Sequence, residues 1–108
     1  MNVVDTGTII LLNFPYTDGI NFKRRPALVL KDFGDGDLLV CRITSKIYSS
    51  PFDIYLDDWS NFGLLLPSVI RVHKMATLEK DMMNTIMGKI DETVLSKVKL
   101  LYLSIVDS

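Results

Sequence analysis

A run of three basic side chains, standing directly before a proline and an apolar segment, is the first candidate for chemistry in this sequence. The run consists of Lys23, Arg24 and Arg25. An arginine offers a planar fork of donors that fits two oxygens of one phosphate or carboxylate, and a lysine offers a compact positive charge. Position alone leaves two interpretations open, an anion-binding group and ordinary solvated loop side chains.

A second candidate lies at the end of an apolar run, where the pattern turns polar. Successive side chains alternate between the faces of a strand, so Leu38 and Val40 share a face with Arg42 and Thr44. A strand that is apolar at one end and polar at the other commonly leaves the core and enters a cleft. The hydroxyl of Thr44 would then reach that cleft, although threonine is also simply frequent in strands.

Arg71 and His73 form a third candidate, because residues two apart in a strand lie on the same face. His73 is the only histidine of the chain. Imidazole changes its protonation near neutral pH and can accept or donate a proton in catalysis. A histidine without any task on the surface is an equally good interpretation of the position.

Composition and charge limit the classes of protein to which the chain can belong. Its 108 residues fit one domain, which we expect to span 1–108. The net charge of −1 argues against holding nucleic acid by bulk positive charge, so any nucleic-acid site has to be a local basic cluster. The single cysteine, Cys41, permits no intramolecular disulfide, and no zinc-ligand spacing is present. We therefore expect no metal and no cofactor.

The longest apolar runs have four residues, whereas a membrane-spanning helix needs about twenty. No basic segment followed by an apolar one opens the chain, as a secretory signal would require. We expect a cytoplasmic protein with no membrane association.

The elements that must position the candidates are short strands followed by one helix. Patterns of apolar residues and turn formers predict strands at 8–14, 27–30, 38–44, 52–56, 68–73 and 85–90. The basic triplet is predicted to lie in the loop before the second strand. Asp91 is a good N-cap for a helix whose apolar residues recur at helical spacing from Val94 to Ile105. These elements predict a mainly β fold, a small curled sheet or barrel covered by a C-terminal helix.

Four segments, in this order and spacing, resemble successive blocks of the MazF/PemK toxin family. They are NFPYTD at 13–18, KRRPALVL at 23–30, CRITS at 41–45 and GLLLPSVIR at 63–71. The resemblance implies an SH3-like β-barrel and a homodimer. It also implies cleavage of single-stranded RNA without a metal, leaving a 2′,3′-cyclic phosphate and a 5′-hydroxyl. The implied partner is an antitoxin whose disordered tail folds along the groove of the toxin dimer. The toxin would contact DNA only indirectly, through this antitoxin.

The resemblance also implies roles for individual residues. Arg25 and Thr44 match the arginine and threonine expected to contact the scissile phosphate, and Arg71 matches a further catalytic arginine. The PemK-like branch carries an aspartate two residues after that arginine, and here His73 stands in its place as the expected base or acid. The residues expected to bind RNA outside the reacting atoms are Thr17, Asp18, Lys23, Arg24, Ser45 and Lys46.

Two other functions remain open from the sequence. Toxins of the CcdB type share the fold and act on DNA gyrase through the end of the last helix. This chain ends without a tryptophan there, and the Arg25 and Thr44 blocks favour RNA. The exchange at His73 is compatible with an inactive member that binds RNA without cutting it.

Overall fold

The computed structural model describes residues 3–15 and 22–107 of the chain. Within these ranges an antiparallel sheet of six strands precedes one helix, and a 3-10 turn, Lys80–Met82, joins the last two strands. The elements are β1 (Thr8–Pro15), β2 (Phe22–Asp32), β3 (Asp37–Thr44), β4 (Asp53–Leu56), β5 (Ser68–Glu79), β6 (Met83–Lys89) and α1 (Glu92–Val106).

The strands lie in the order β4-β5-β3-β2-β1-β6, and every recorded pair is antiparallel. Register shifts interrupt the β1–β6, β2–β3 and β3–β5 pairings. Shifts of this kind bend strands and increase their twist, which lets a small sheet curl on itself. The predicted fold, a small mainly β barrel with a C-terminal helix, is confirmed.

Side chains on the two faces of the sheet form two apolar clusters. The larger cluster packs under α1, which buries Leu95 and Val98 against it. Its sheet residues include Ile9, Leu28, Cys41, Ile43, Ile70 and Val72. The smaller cluster, on the opposite face, comprises Val4, Ile10, Leu12, Ala27, Val29, Leu38 and Val40. The alternation along β3 therefore sends one set of side chains under the helix and the other into the smaller cluster.

The helix begins as the sequence predicts. Asp91 has extended backbone angles, and its side chain accepts a hydrogen bond from the backbone N–H of Val94 at 2.9 Å. This bond satisfies one of the donors that the first turn of a helix leaves free. No helix in the part of the chain that the structure describes is long and apolar enough to cross a membrane.

The predicted loop position of the basic triplet is wrong, because β2 begins at Phe22 and includes all three residues. Their backbones pair with β1, where Arg25 lies opposite Leu12. Pro26 fits inside this strand because the recorded pairing with β3 starts only at Ala27, so one side of the proline faces no ladder. The triplet thus stands on a strand that is paired with β1 and not in a loop.

Strand β5 is longer than predicted and changes register in its middle. Arg42 of β3 pairs with Arg71, whereas the preceding Cys41 pairs with Met75, so the register shifts across Val72–Lys74. The sequence pattern ended the strand at His73 because this irregular stretch breaks the alternation that the prediction used. Beyond it, the strand continues to Glu79.

Two glycines bring the segment after β4 against β6, the strand at the other edge of the sheet. A Cβ built on Gly88 would lie 2.0 Å from the carbonyl oxygen of Phe62, and one built on Gly63 would lie 2.0 Å from that of Met87. Only glycine permits such an approach of two backbones. The contact brings the two ends of the sheet together and gives the open sheet its barrel-like shape.

Candidate phosphate-binding site

A cleft of about 380 Å³, called here the basic cleft, gathers most of the residues that the sequence proposes for RNA. The polar residues that line it are Lys23, Arg24, Arg25, Thr44, Ser45, Lys46 and Ser68. Leu11, Pro26, Ile43, Leu64, Leu65, Leu66 and Met87 complete the lining. The cleft therefore combines the start of β2, the end of β3 and the segment before β5.

Arg25 and Thr44 meet in this cleft because of the register of β2 and β3. Ala27 and Arg42 form the last recorded pair at this end of the two strands, Arg25 and Thr44 each lie two residues beyond that pair, and both line the cleft. Both side chains are half-buried. The Thr44 hydroxyl oxygen accepts a hydrogen bond from the backbone N–H of Lys46 at 3.2 Å. Its own O–H can therefore donate to a second group in the cleft.

The basic cleft has a strong local charge on a nearly neutral chain. Four of its lining residues are basic, and none of those described is acidic or a histidine. Beside the charged groups, Leu65 and Leu66 are 84% and 58% exposed. A positive groove flanked by exposed apolar side chains suits a polyanion whose bases can lie against the apolar wall.

Arg71 lies on the same sheet but does not line the basic cleft. Its Nε donates to Asp53 Oδ1 at 2.9 Å, and its guanidinium carbon lies 3.6 Å from the centre of the Tyr48 ring. Burial raises the pKa of Asp53, but hydrogen bonds from Arg71 and Ser50 outweigh it and hold the pKa below its ordinary value. The ion pair and the stacked tyrosine tie the segment between β3 and β4 to the sheet.

His73 also lies outside the lining of the basic cleft. Its ring packs against that of Phe52 with centroids 5.3 Å apart. Its Nδ1 is buried and has no hydrogen-bond partner among the residues described. The pairing of β5 with β3 is irregular between Arg71 and Met75, and His73 lies in this irregular stretch.

The structure adds residues that the sequence analysis did not propose for the site. Asp53 and Tyr48 hold Arg71, and they lie 18 and 23 positions from it along the chain, so no local spacing pointed to them. Arg42 is half-buried beside Ala27 and Arg71. Arg42 lies two residues before Thr44 and therefore on the same face of the strand, and this spacing could have identified it as a site residue from the sequence.

Two predicted RNA-binding residues, Thr17 and Asp18, lie outside the described residues. Within the described ranges, no group of three or more histidine, cysteine or acidic residues could hold a metal ion. Burial raises the pKa of the Cys41 thiol to about 12. The thiol is therefore protonated at neutral pH and is a poor nucleophile.

The sequence matches a known family over most of its length. Residues 5–101 match the model of the PemK-like, MazF-like toxins of type II toxin-antitoxin systems. The chain belongs to this family of toxins. No curated protein sequence matches the chain.

Solved structures support the same assignment. A MazE-MazF complex from Deinococcus radiodurans contains a chain that is similar to this one with a TM-score of 0.82 and 25% identity, covering 99% of this chain and 98% of that one. An endoribonuclease from a mycobacterial species has a TM-score of 0.78 at 15% identity, covering 99% and 94%. A mycobacterial endoribonuclease in complex with its cognate antitoxin has a TM-score of 0.75 at 15% identity, covering 94% and 92%. The two mycobacterial matches show a shared fold.

Proposed function

We propose that this toxin is an endoribonuclease that cuts single-stranded RNA without a metal, using the 2′-hydroxyl of the RNA as nucleophile. The observation that carries the proposal is the basic cleft, where Arg25 and Thr44 stand together among further positive charges. Membership of a toxin family with solved endoribonuclease structures of the same fold supports it.

The reaction follows from what RNA itself provides. The 2′-oxygen attacks the adjacent phosphorus, a 2′-O–P bond forms and the P–O5′ bond breaks. The proton of the 2′-hydroxyl passes to solvent, and the solvent returns a proton to the departing 5′-oxygen. The products are a 2′,3′-cyclic phosphate and a 5′-hydroxyl, so the step uses no water molecule as a reactant and requires no metal ion.

The protein stabilises the negative charge that builds up on the phosphate oxygens. The Arg25 guanidinium can donate two parallel hydrogen bonds to these oxygens, and the Thr44 hydroxyl can donate a third. Arg25 extends from the paired part of β2, and Thr44 is the last residue of β3, so both side chains start from ordered strands as the charge develops. Fixed donors of this kind typically contribute about a hundredfold to a thousandfold each to the rate.

The other residues of the basic cleft bind the strand on either side of the reacting phosphate. Lys23, Arg24 and Lys46 contact phosphates and fix the position of the strand without reading its sequence. Ser45 adds a hydroxyl at the edge of the cleft. Thr17 and Asp18 remain proposals for contacts to base edges.

Arg71 and His73 act from outside the cleft in this proposal. Through Tyr48 and Asp53, Arg71 positions the segment that begins with Ser45 and Lys46. We propose that the proton of the 2′-hydroxyl passes to solvent, since the described lining residues offer neither a carboxylate nor an imidazole. The sequence-based role of His73 as the base is the alternative, and the pH dependence of the rate separates the two.

The proposed partners follow from the family. The matched complexes, one named MazE-MazF and one an endoribonuclease with its cognate antitoxin, support an antitoxin as the protein partner. We further propose a homodimer that acts on RNA in the cytoplasm. Contact with DNA would come only through the antitoxin.

The end groups of the products test the proposed reaction. The purified chain is incubated with a single-stranded RNA in the presence of EDTA, and the fragments are analysed by mass spectrometry. We expect fragments with a 2′,3′-cyclic phosphate and a 5′-hydroxyl, and no cleavage when the nucleotide at the cut carries a 2′-deoxyribose. Fragments that end in a 3′-hydroxyl and a 5′-phosphate, or cleavage abolished by EDTA, would rule the proposal out.

A further inference from the structure

A second cleft, of about 460 Å³, lies on the other side of Arg25 from the basic cleft, and Arg25 and Pro26 line both. Its polar side chains are Arg25, Arg42 and Lys74. The rest of the lining is Leu12, Pro26, Ala27, Val40, Cys41, Met75, Ala76 and Leu78, so it contains no acidic residue among those described. We call it the Arg42 cleft.

Arg42 is the unusual residue of this cleft. It pairs with Ala27 of β2 on one side and with Arg71 of β5 on the other, in the middle of the sheet. Its Nε is buried and finds no hydrogen-bond acceptor in the ranges 3–15 and 22–107. A buried charged donor without an acceptor is costly and is rarely kept without a reason. A bound anion would supply the missing acceptor.

The register of the strands sets the distance between Arg42 and Arg25. The two are diagonal neighbours across the β2–β3 pair, because Arg42 lies opposite Ala27 and Arg25 lies two residues before it. Such diagonal neighbours are roughly 7–8 Å apart. This is the separation of the residues at the backbone, and from there the two long side chains can each reach one of two successive phosphates of a single strand.

The register shift of β5 contributes the third charge. Lys74 falls within the stretch Val72–Lys74, where the pairing with β3 is irregular. Bulged strands turn side chains away from their regular direction, and they are frequent beside active sites. The shift leaves Lys74 exposed and lining the Arg42 cleft.

We propose that the Arg42 cleft binds the phosphate next to the scissile one, with Arg42 as its main donor and Lys74 as a second charge. The inference rests on the proposed function, since it names a subsite for the same RNA strand. Ala27 and Val40 are buried and form an apolar floor, against which the ribose of that nucleotide can pack. Arg42 is a binding residue in this account and takes no part in bond breaking.

The test compares Arg42→Gln with wild type on a single-stranded RNA that contains a mapped cleavage site. We expect KM to rise about tenfold, the size of effect that follows from losing one charged hydrogen bond, while kcat stays within about twofold. On the same RNA with a 2′-deoxyribose at the cut, the slope of log Kd against log salt should fall by about 0.7, as for one lost phosphate contact. Lys74→Gln should raise KM by a smaller factor.

Controls separate a lost subsite from a damaged fold. Arg42→Lys keeps the charge and should recover most of the salt slope. Lys97→Gln removes an exposed lysine from α1 and should change neither KM nor slope. Shortening the RNA so that it lacks the neighbouring phosphate on one side should raise KM for wild type and leave Arg42→Gln unaffected.

The outcomes distinguish this inference from the proposed function. If wild type cuts RNA and Arg42→Gln has the KM and salt slope of wild type, the subsite is wrong and the proposed function stands. If wild type binds RNA through Arg42 but does not cut it, the subsite stands and the proposed reaction fails. If wild type neither cuts nor binds RNA, both fail.

Discussion

The Thr44 hydroxyl oxygen accepts a hydrogen bond from the backbone, and its proton remains free to be donated to a substrate oxygen. The backbone N–H of Lys46 donates to it at 3.2 Å, which fixes the oxygen at the end of β3 while its proton stays available. Arg25 is fixed in another way, by a strand whose backbone pairs with β1 opposite Leu12. The Thr44 hydroxyl oxygen and the backbone of Arg25 are therefore both fixed by the strands, an arrangement that favours stabilisation of a developing charge.

The pH dependence of the cleavage rate tests how the proton leaves the 2′-hydroxyl. In the proposed reaction the proton of the 2′-hydroxyl passes to solvent, so the reactive 2′-oxyanion becomes more abundant as pH rises, and we expect the single-turnover rate to rise continuously from about pH 6 to 8.5. The rates of wild type and His73→Gln are measured on one RNA over this range.

A plateau above about pH 7 would contradict this expectation, because it indicates a titrating base. If His73→Gln removes the plateau, His73 is that base, as the sequence suggests. If the plateau persists in the variant, the base lies elsewhere. We expect His73→Gln to lower the rate by less than about tenfold, well below the loss that removing a general base causes.

At the scale of the elements, the approach of two glycines joins the ends of the sheet. Gly88 lies in β6, and its backbone contacts that of Phe62 and Gly63 in the connection between β4 and β5. The same connection continues into Leu64, Leu65 and Leu66, which line the basic cleft. The glycine contact therefore positions one wall of the site.

Gly88→Ala should destabilise the fold strongly, because the new Cβ would stand 2.0 Å from the Phe62 carbonyl oxygen. We expect a loss of about 3 kcal/mol or more in the free energy of unfolding, measured by urea denaturation. Gly34→Ala is the matched control, since its φ of +77° is unfavourable for alanine but no atom lies within 4 Å of the new Cβ. That variant should lose about 1–2 kcal/mol. Equal losses in the two variants would contradict the close contact.

Asp32 ties three further segments together at the end of β2. Its side chain accepts hydrogen bonds from the backbone N–H of Val4 and Gly34, at 2.8 and 2.9 Å, and from Lys80 Nζ at 2.9 Å. These donors lower the pKa of Asp32 from 3.8 to about 2, with the bond from Val4 as the largest cause. The stability that it contributes is present above the ordinary pKa and is lost as pH falls from 3.8 towards 2.

Asp32→Asn should lower Tm by several degrees at pH 7. The amide has a single acceptor oxygen for the three donors and carries no charge to form an ion pair with Lys80. As pH falls from about 4 to 2, the gap in Tm between wild type and variant should narrow. Asp57→Asn, at an exposed position, is the control and should leave Tm unchanged. A gap in Tm that does not depend on pH would mean that the charge of Asp32 does not stabilise the fold.

At the scale of the whole molecule, the sequence predicts the outline of the fold well. Four of the six strands, β1, β3, β4 and β6, and the helix follow from patterns of apolar residues, and the ends of these strands differ by at most two residues. The sequence predicts too short a second strand, because a proline such as Pro26 usually marks the start of a strand. The strand pairing shows that Pro26 has no recorded partner in β3 and can therefore lie inside β2. The second half of β5 was missed because the register shift hides its alternation.

The site was predictable where it follows strand ends and unpredictable where it depends on distant contacts. Arg25, Thr44 and their neighbours were named from blocks of sequence, and the basic cleft contains them. The partners of Arg71 come from a strand and a segment far away in the sequence, and the Arg42 cleft depends on a bulge. These contacts depend on how the sheet curls in three dimensions, and the pattern of neighbouring residues in the sequence does not predict that.

The molecule carries a net charge of −1, yet four of the basic side chains of the described residues line one cleft. We propose that Arg25 and Thr44 bind the scissile phosphodiester in this cleft. The most direct measurement is the single-turnover rate of cleavage of one single-stranded RNA, with EDTA present, by wild type, Arg25→Ala and Thr44→Val. We expect each variant to remain folded and to be slower by about a hundredfold to a thousandfold. Cleavage by folded Arg25→Ala at the rate of wild type would contradict the account.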